Sequence, residues 1–313
     1  MKKDTIVIGT RSSKLALWQA EYIQSRLEEQ YPGLKVELKK MTTKGDKILD
    51  APLAKIGGKG LFTKELEMDM LAGGIDLAVH SLKDMPTELP EGLCLTAVTK
   101  RFDPGDAVVS PQYKTLGNLP QGAKVGTSSL RRKAQLLHVR PDLNICDLRG
   151  NVNTRLAKLE SENFAAIILA VAGLKRLGFG DRITEVLPRE MVLPAVGQGA
   201  LAIETRADDT DMRELLAFLN DEATVQCTRA ERAFLGRVEG GCQVPVGVYA
   251  VPDSQPEHIV VEAVIASLDG QRLYRDKISG LANEAEALGV ELAEKLLAAG
   301  GEKILQEIGL LQN

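Results

Sequence analysis

Arginine and lysine recur in this chain just where short apolar strands hand over to helices. Arg11 follows the stretch Thr5–Gly9, and Arg131 and Arg132 sit in the first turn after Thr127-Ser128-Ser129. Arg149 closes the run Leu143–Leu148, and Gly150-Asn151 then turns into a segment bearing Arg155. Lys83 lies in the loop VHSLKDMP, residues 79–86. A cation in the first turn of a helix opposes the helix dipole, so it is a poor choice for stability alone. It makes sense where an anion sits, because helix-start N–H groups and guanidinium forks together hold carboxylates or phosphates. Any one such side chain would read as solvated surface charge. Five positions on the same rim, with Arg131-Arg132 taken as one, suggest a ligand with several carboxylates, clamped between two domains.

Asp84 is the odd charge in this basic neighbourhood. A loop aspartate usually caps a turn; among cations at a strand end it could instead act on a cationic substrate group. Cys242 stands in EGGCQVPVG, residues 239–247, after two glycines that permit close approach and unusual backbone angles. No histidine or arginine neighbours it in sequence, so by itself it reads as an ordinary thiol rather than a nucleophile. Cys94, Cys146 and Cys227 lie in apolar patterns and read as core residues.

Other chemistries lack their motifs. Gly57-Gly58-Lys59-Gly60 misses both the earlier glycine and the following Ser/Thr of a phosphate loop, and no GxGxxG follows a strand. GTSSL, residues 126–130, is not a nucleophile elbow. With three histidines a Ser-His-Asp triad has few candidates. Four cysteines without CxxC spacing argue against a zinc site or a disulfide framework, so no metal is expected.

The elements that must position these residues alternate between strand and helix. Thr5–Gly9 reads as a strand; Ser12 or Ser13 caps a helix running to about Gln30, which Pro32-Gly33 ends. Leu34, Val36 and Leu38 alternate with charges in a half-buried strand. A helix over Leu61–Leu71 carries Phe62, Leu66 and Met70 on one stripe, and Ile75–His80 is the next strand. Strands near 123–126, 143–148 and 165–170 and helices near 129–138 and 152–161 continue the rhythm. Such alternation implies mostly parallel sheets whose ligands bind at the carboxyl ends of the strands.

Residues 9–19, GTRSSKLALWQ, and residues 126–136, GTSSLRRKAQL, echo one another, which favours two similar α/β domains. KRFDPGD (100–106) and PAVGQGA (194–200) read as domain crossings. After about residue 220 a helix near 222–237 leads to strands near 243–250, 258–267 and 271–279, then one or two helices over 283–309. The expected domains are therefore 1–99 with 200–219, 100–199, and a smaller α+β domain over 220–313.

A chain of 313 residues exceeds one small domain, and 44% hydrophobic with 26% charged residues argues against disorder. The net charge of −4 argues against a dedicated nucleic-acid binder. Residues 220–313 hold 8 basic and 15 acidic side chains, leaving 31 and 28 to residues 1–219, so an anionic ligand belongs to the first two-thirds. The opening apolar stretch, cut off by Arg11, is too short for a signal peptide. The longest apolar run, Phe164–Leu174, falls short of the ~20 residues of a membrane span. A soluble cytoplasmic protein with no membrane partner is expected.

In these motifs the chain resembles the porphobilinogen deaminase (hydroxymethylbilane synthase) family. The matching stretches are TRSSKLALWQA (10–20), GGKGLF (57–62), VHSLKDMP (79–86), GTSSLRR (126–132), LRGNVNTR (148–155), AVAGLKRLG (170–178), LPAVGQGA (193–200) and EGGCQVP (239–245). Residues 250–313 match only in general pattern. The resemblance implies two periplasmic-binding-protein-like α/β domains plus a smaller α+β C-terminal domain, in a monomeric enzyme of tetrapyrrole and heme biosynthesis. It implies a transferase that condenses four porphobilinogen molecules head to tail, releasing ammonia, into linear hydroxymethylbilane. The growing chain would be built on a dipyrromethane cofactor bound by thioether to Cys242. Asp84 would be the catalytic residue. Ser81, Lys83, Asp84, Thr127, Ser129, Arg131, Arg132, Arg149 and Gly150 would contact the cofactor. Arg11, Ser13, Lys59, Phe62, Arg149, Arg155, Arg176 and Gln198 would meet the substrate.

Two other readings compete. A non-catalytic two-domain carboxylate-binding protein would share the clamp, but such bacterial modules are usually exported and need no cofactor thiol. A LysR-type effector-binding domain would want a helix-turn-helix, for which the β-rich start leaves no room.

Overall fold

The computed structural model describes residues 4–43, 45, 62–238 and 244–309. Strand β1 (Thr5–Arg11) is buried through Ile8, Gly9 and Thr10 and feeds helix α1 (Lys14–Gln30), whose first turn is capped by Ser13. Strand β2 (Lys35–Met41), helix α2 (Lys64–Leu71), β3 (Leu77–Ser81) and β4 (Leu93–Val98) follow. The chain then crosses to a second sheet made of β5 (Asp106–Val109), β6 (Lys124–Gly126), β7 (Asn144–Cys146), β8 (Ala166–Ala170) and β9 (Glu185–Val186). Its helices are α3 (Leu130–Val139), α4 (Val152–Ser161) and α5 (Val171–Arg176). It returns in β10 (Leu201–Arg206), followed by α6 (Thr210–Leu216).

The first sheet has the order β2-β1-β3-β10-β4 and the second β7-β6-β8-β5-β9. In each, one strand runs against both its neighbours: β10 in the first, β5 in the second. These are the two strands that begin just after a crossing, so each sheet is closed by a strand the chain supplies on arrival. The crossings lie side by side, Phe102 donating its N–H to the Gly199 carbonyl at 3.1 Å. Glycine is required there: Gly199 has φ +95°, and a Cβ on it would stand 2.5 Å from the Phe102 carbonyl oxygen.

The last unit opens with α7 (Glu222–Arg237) and continues in an antiparallel sheet of β11 (Val246–Pro252), β12 (His258–Ala266) and β13 (Leu273–Leu281). Helices α8 (Ala285–Leu296) and α9 (Glu302–Glu307) cover it, with Phe234, Val248, Val261, Ala263 and Leu292 in one buried core. Two mostly parallel α/β sheets and a smaller α+β unit are thus the fold class read from the sequence.

Several elements escape the sequence reading. Strand β5 is buried at all four residues and β10 at its first five, so neither alternation nor a helical stripe marks them. Strands β4 and β9 and helices α5 and α6 were likewise not foreseen. The strand expected over 143–148 spans only Asn144–Cys146. The helix expected from Leu61 begins at Lys64: Phe62 stands in the preceding turn, and residue 61 lies outside the described residues.

Candidate active site

A cleft of about 460 Å³ opens between the two five-stranded sheets. From the first sheet come Arg11 at the end of β1, Ser13, Phe62, Ser81 at the end of β3, and Lys83 and Asp84 in the single turn Leu82–Asp84 beyond it. Opposite them stand Arg132 of α3, Arg149 and Gly150 of the β7–α4 loop, Arg155 of the first turn of α4, and Arg176 at the end of α5. Gln198 reaches in from the second crossing, and Leu169, Ala170, Ala172 and Gly173 add an apolar floor. The strands deliver these groups because loops at their carboxyl ends face the same opening.

Three residues named from the sequence do not line the cleft. Thr127 accepts the Ser129 N–H at 3.2 Å, and Ser129 caps α3 by accepting the Arg132 N–H at 3.3 Å. Arg131 is turned inward, its guanidinium donating to Asp106 at 2.6 Å and to the Leu193 carbonyl at 2.6 Å. Lys59 and Cys242 lie outside the described residues.

Asp106 was missed by the sequence reading and organises this wall. Arg132 donates to its Oδ1 through Nε at 2.9 Å and Nη2 at 2.7 Å, Arg131 holds Oδ2, and the Gln198 amide donates to Oδ1 at 3.0 Å. Burial alone would raise the Asp106 carboxyl, but the charge and hydrogen bonds of Arg131 and Arg132 outweigh it and hold it well below the usual carboxylate range. Gln19 was also missed; it is buried and donates to Ser81 Oγ at 2.8 Å, tying the end of β3 to α1. A polar residue on the buried stripe of a helix is the signal that could have found it.

Burial pushes the remaining cations toward neutrality. Burial, with Arg132 and Arg149 nearby, lowers the Arg155 guanidinium to about 10 against the pull of Asp84, and burial lowers Arg176 to about 10. Arg155 donates to the Gly150 carbonyl at 2.8 Å and Arg176 to the Gly199 carbonyl at 2.8 Å, and neither is bonded to a carboxylate among the described residues. Arg176 also lies over Trp18, 5.7 Å from the ring centroid. Arg11 covers the Phe62 ring at 4.3 Å. Lys83 falls to about 8 through burial and the charges of Arg132 and Arg131, which outweigh Asp84 and Asp106. Asp84 is exposed to the opening. An anionic ligand would relieve every one of these cations, so the donor set fits a molecule with several carboxylates.

Among the described residues, such a cleft sets one exposed carboxylate against several cations, an arrangement suited to a polyanionic ligand between two α/β sheets. Residues 6–214, which span both sheets, match the family model described as "Porphobilinogen deaminase, dipyromethane cofactor binding domain", and residues 225–298 match "Porphobilinogen deaminase, C-terminal domain". The chain belongs to the porphobilinogen deaminase family. A relative from Geobacter sulfurreducens named Porphobilinogen deaminase is 55% identical over 308 residues, covering 98% of this chain and 96% of its own length. Another so named, from Moorella thermoacetica, is 54% identical over 303 residues, covering 97% and 96%. Among solved structures, the methionine-binding protein MetQ aligns with a TM-score of 0.44 at 18% identity over 71% of this chain and 90% of that one.

Proposed function

We propose that this chain condenses four porphobilinogen molecules head to tail, with release of ammonia, into linear hydroxymethylbilane on a dipyrromethane primer joined by thioether to Cys242. The observation that carries this reading is the opposition of Asp84 to a wall of cations in one cleft, in a chain of this family. Each porphobilinogen unit brings an acetate and a propionate, so the growing chain is a polyanion. Arg11, Arg132, Arg149, Arg155 and Arg176, with Ser13 and Phe62, bind and orient those carboxylates and rings; Lys59 joins them in this proposal. Arg131, Thr127 and Ser129 act from behind, by fixing Asp106 and the start of α3.

When bound, the dipyrromethane supplies a nucleophilic pyrrole carbon. Ser81 and Lys83 would hold it beside Asp84, and Gly150, at φ +111°, lets the chain turn after Arg149. Loss of ammonia from the protonated aminomethyl group leaves positive charge on the substrate pyrrole, which the Asp84 carboxylate stabilises. Asp84 would then take up the proton released by the pyrrole carbon that bonds to that methylene.

The proposed units are 1–99 with 200–219 carrying the catalytic loop, 100–199 carrying the carboxylate-binding wall, and 220–313 carrying Cys242. We further propose that the protein is a cytoplasmic monomer without nucleic-acid partners. Intact mass is the test: it should exceed the sequence mass by one dipyrromethane unit, and Cys242→Ala should abolish both the excess and hydroxymethylbilane formation. A fully active preparation with the bare sequence mass overturns the proposal.

A further inference from the structure

We infer that Asp106 is a positioning residue of the cleft: it fixes the forks of Arg131 and Arg132 and, through Gln198, places the Lys83 amine. Asp106 opens β5 of the second sheet, whereas Lys83 stands in the loop after β3 of the first. Gln198 spans the gap. Its amide nitrogen donates to the Pro104 carbonyl at 2.6 Å and to Asp106 Oδ1 at 3.0 Å, and both donor hydrogens are thereby committed. Only its carbonyl oxygen is left to turn toward the first sheet, and Lys83 Nζ donates to it at 3.4 Å. The guanidinium of Arg132 is fixed in the same way. Asp106 takes its Nε edge and the Ile168 carbonyl takes Nη1 at 3.0 Å, so the orientation it offers the cleft is set from inside the protein.

Charge gives the arrangement a second consequence. Two guanidiniums share one carboxylate, and all three groups are buried. Among the charged groups acting on Lys83 are Asp84 in its own turn, Arg131 and Arg132 of α3, and Asp106 of β5. Asp84 gives the larger pull toward the Lys83 ammonium, and Asp106 is the buried negative charge that adds to it against the two arginines. Without Asp106, the amine gives up its proton at a lower pH, and the cleft loses one cation in the physiological range.

This inference rests on the proposed function only in treating Lys83 as a cleft residue, and its test requires no turnover. The cofactor-bearing protein is acetylated with acetic anhydride across a pH series, and the extent at Lys83 is read by peptide mass spectrometry. Wild type and Asp106→Asn are compared at equal cofactor content by intact mass. The half-labelling pH at Lys83 should fall in Asp106→Asn by about one unit, a tenfold change in free amine at fixed pH. An unchanged midpoint in folded Asp106→Asn overturns the inference. Should that variant not fold or not carry the cofactor, Gln198→Leu decides, since it leaves the Asp106 ion pairs in place. Its midpoint should fall as well, and an unchanged one refutes the link.

Discussion

The start of β1–α1 and the start of β6–α3 are built alike and loaded differently. Ser13 accepts the Ala16 N–H at 3.4 Å and Ser129 accepts the Arg132 N–H at 3.3 Å, each capping the helix that follows the first central strand of its sheet. The strand orders also correspond, and the antiparallel strand of each sheet carries a buried carboxylate, Glu204 in β10 and Asp106 in β5. Glu204 meets His80 at 3.1 Å, a partner whose charge is optional, and its Oε1 has no hydrogen bond among the described residues. Asp106 meets two permanent cations and is saturated. What differs is the use of that carboxylate: in the second sheet it balances two arginines at the start of α3, and in the first it pairs with a histidine of the neighbouring strand. The second sheet thereby supplies the proposed anion-binding wall; the first buries Glu204 against His80 and leaves Asp84 exposed at the cleft.

The largest effect expected from this division is at Asp84. Asp84→Asn keeps the shape but removes both the charge and the proton acceptor, so turnover should fall by about 10²–10⁴-fold. The residue is exposed, so stability and binding should survive. Single-turnover ammonia release, on protein whose cofactor is verified by mass, is the measurement. A rate within about tenfold of wild type, or about 1.4 kcal/mol in barrier, would make Asp84 a mere turn residue.

Within the second sheet, Arg131→Leu and Arg155→Leu should part company. Arg131→Leu strips a buried carboxylate of a partner and should cost about 3–5 kcal/mol of stability, read from denaturant unfolding. Arg155→Leu breaks only a bond to a carbonyl, so the fold should hold. Its loss should show instead as weaker binding, by about 1.5–3 kcal/mol for a charge-assisted contact. Equal stability losses in the two variants would erase the distinction between supporting and ligand-facing arginines. Glu204→Gln should cost less than Arg131→Leu, about 1 kcal/mol, because an amide can still bond to His80.

Much of the cleft is visible in the sequence because its cations break a rule. Arginine in a helix's first turn is unfavourable, so Arg132 and Arg155 stand out without any structure. Asp106 does not stand out. It ends the polar run KRFDPGD, where an aspartate reads as turn chemistry, and the arginines that define it lie 25 and 26 residues away. Arg131 and Arg132 are adjacent and look equivalent, and only the tertiary placement of Asp106 and of the Leu193 carbonyl turns one inward. The crossing strands are hidden for a related reason: burial on both faces removes the period-2 signal.

The smallest expected effect tests whether the two helix starts are one device used twice. Ser13→Ala and Ser129→Ala each remove a side-chain acceptor and leave one helix-start N–H without its partner. Loss of an N-cap costs about 0.5–2 kcal/mol, and bonds as long as these belong at the lower end. If the caps are equivalent, denaturant midpoints should shift alike in both variants. Their chemistry should still differ. The N–H that Ser129 holds belongs to Arg132, whose guanidinium is bound to Asp106, so a frayed cap there loosens the anion-binding wall. The N–H that Ser13 holds belongs to Ala16, which carries no charge. Ser129→Ala should therefore weaken substrate binding through a residue that does not line the cleft, and Arg132→Lys should abolish that sensitivity by breaking the fork already. A Ser129→Ala protein with wild-type KM and a measurable loss of stability would reduce the cap to local helix chemistry.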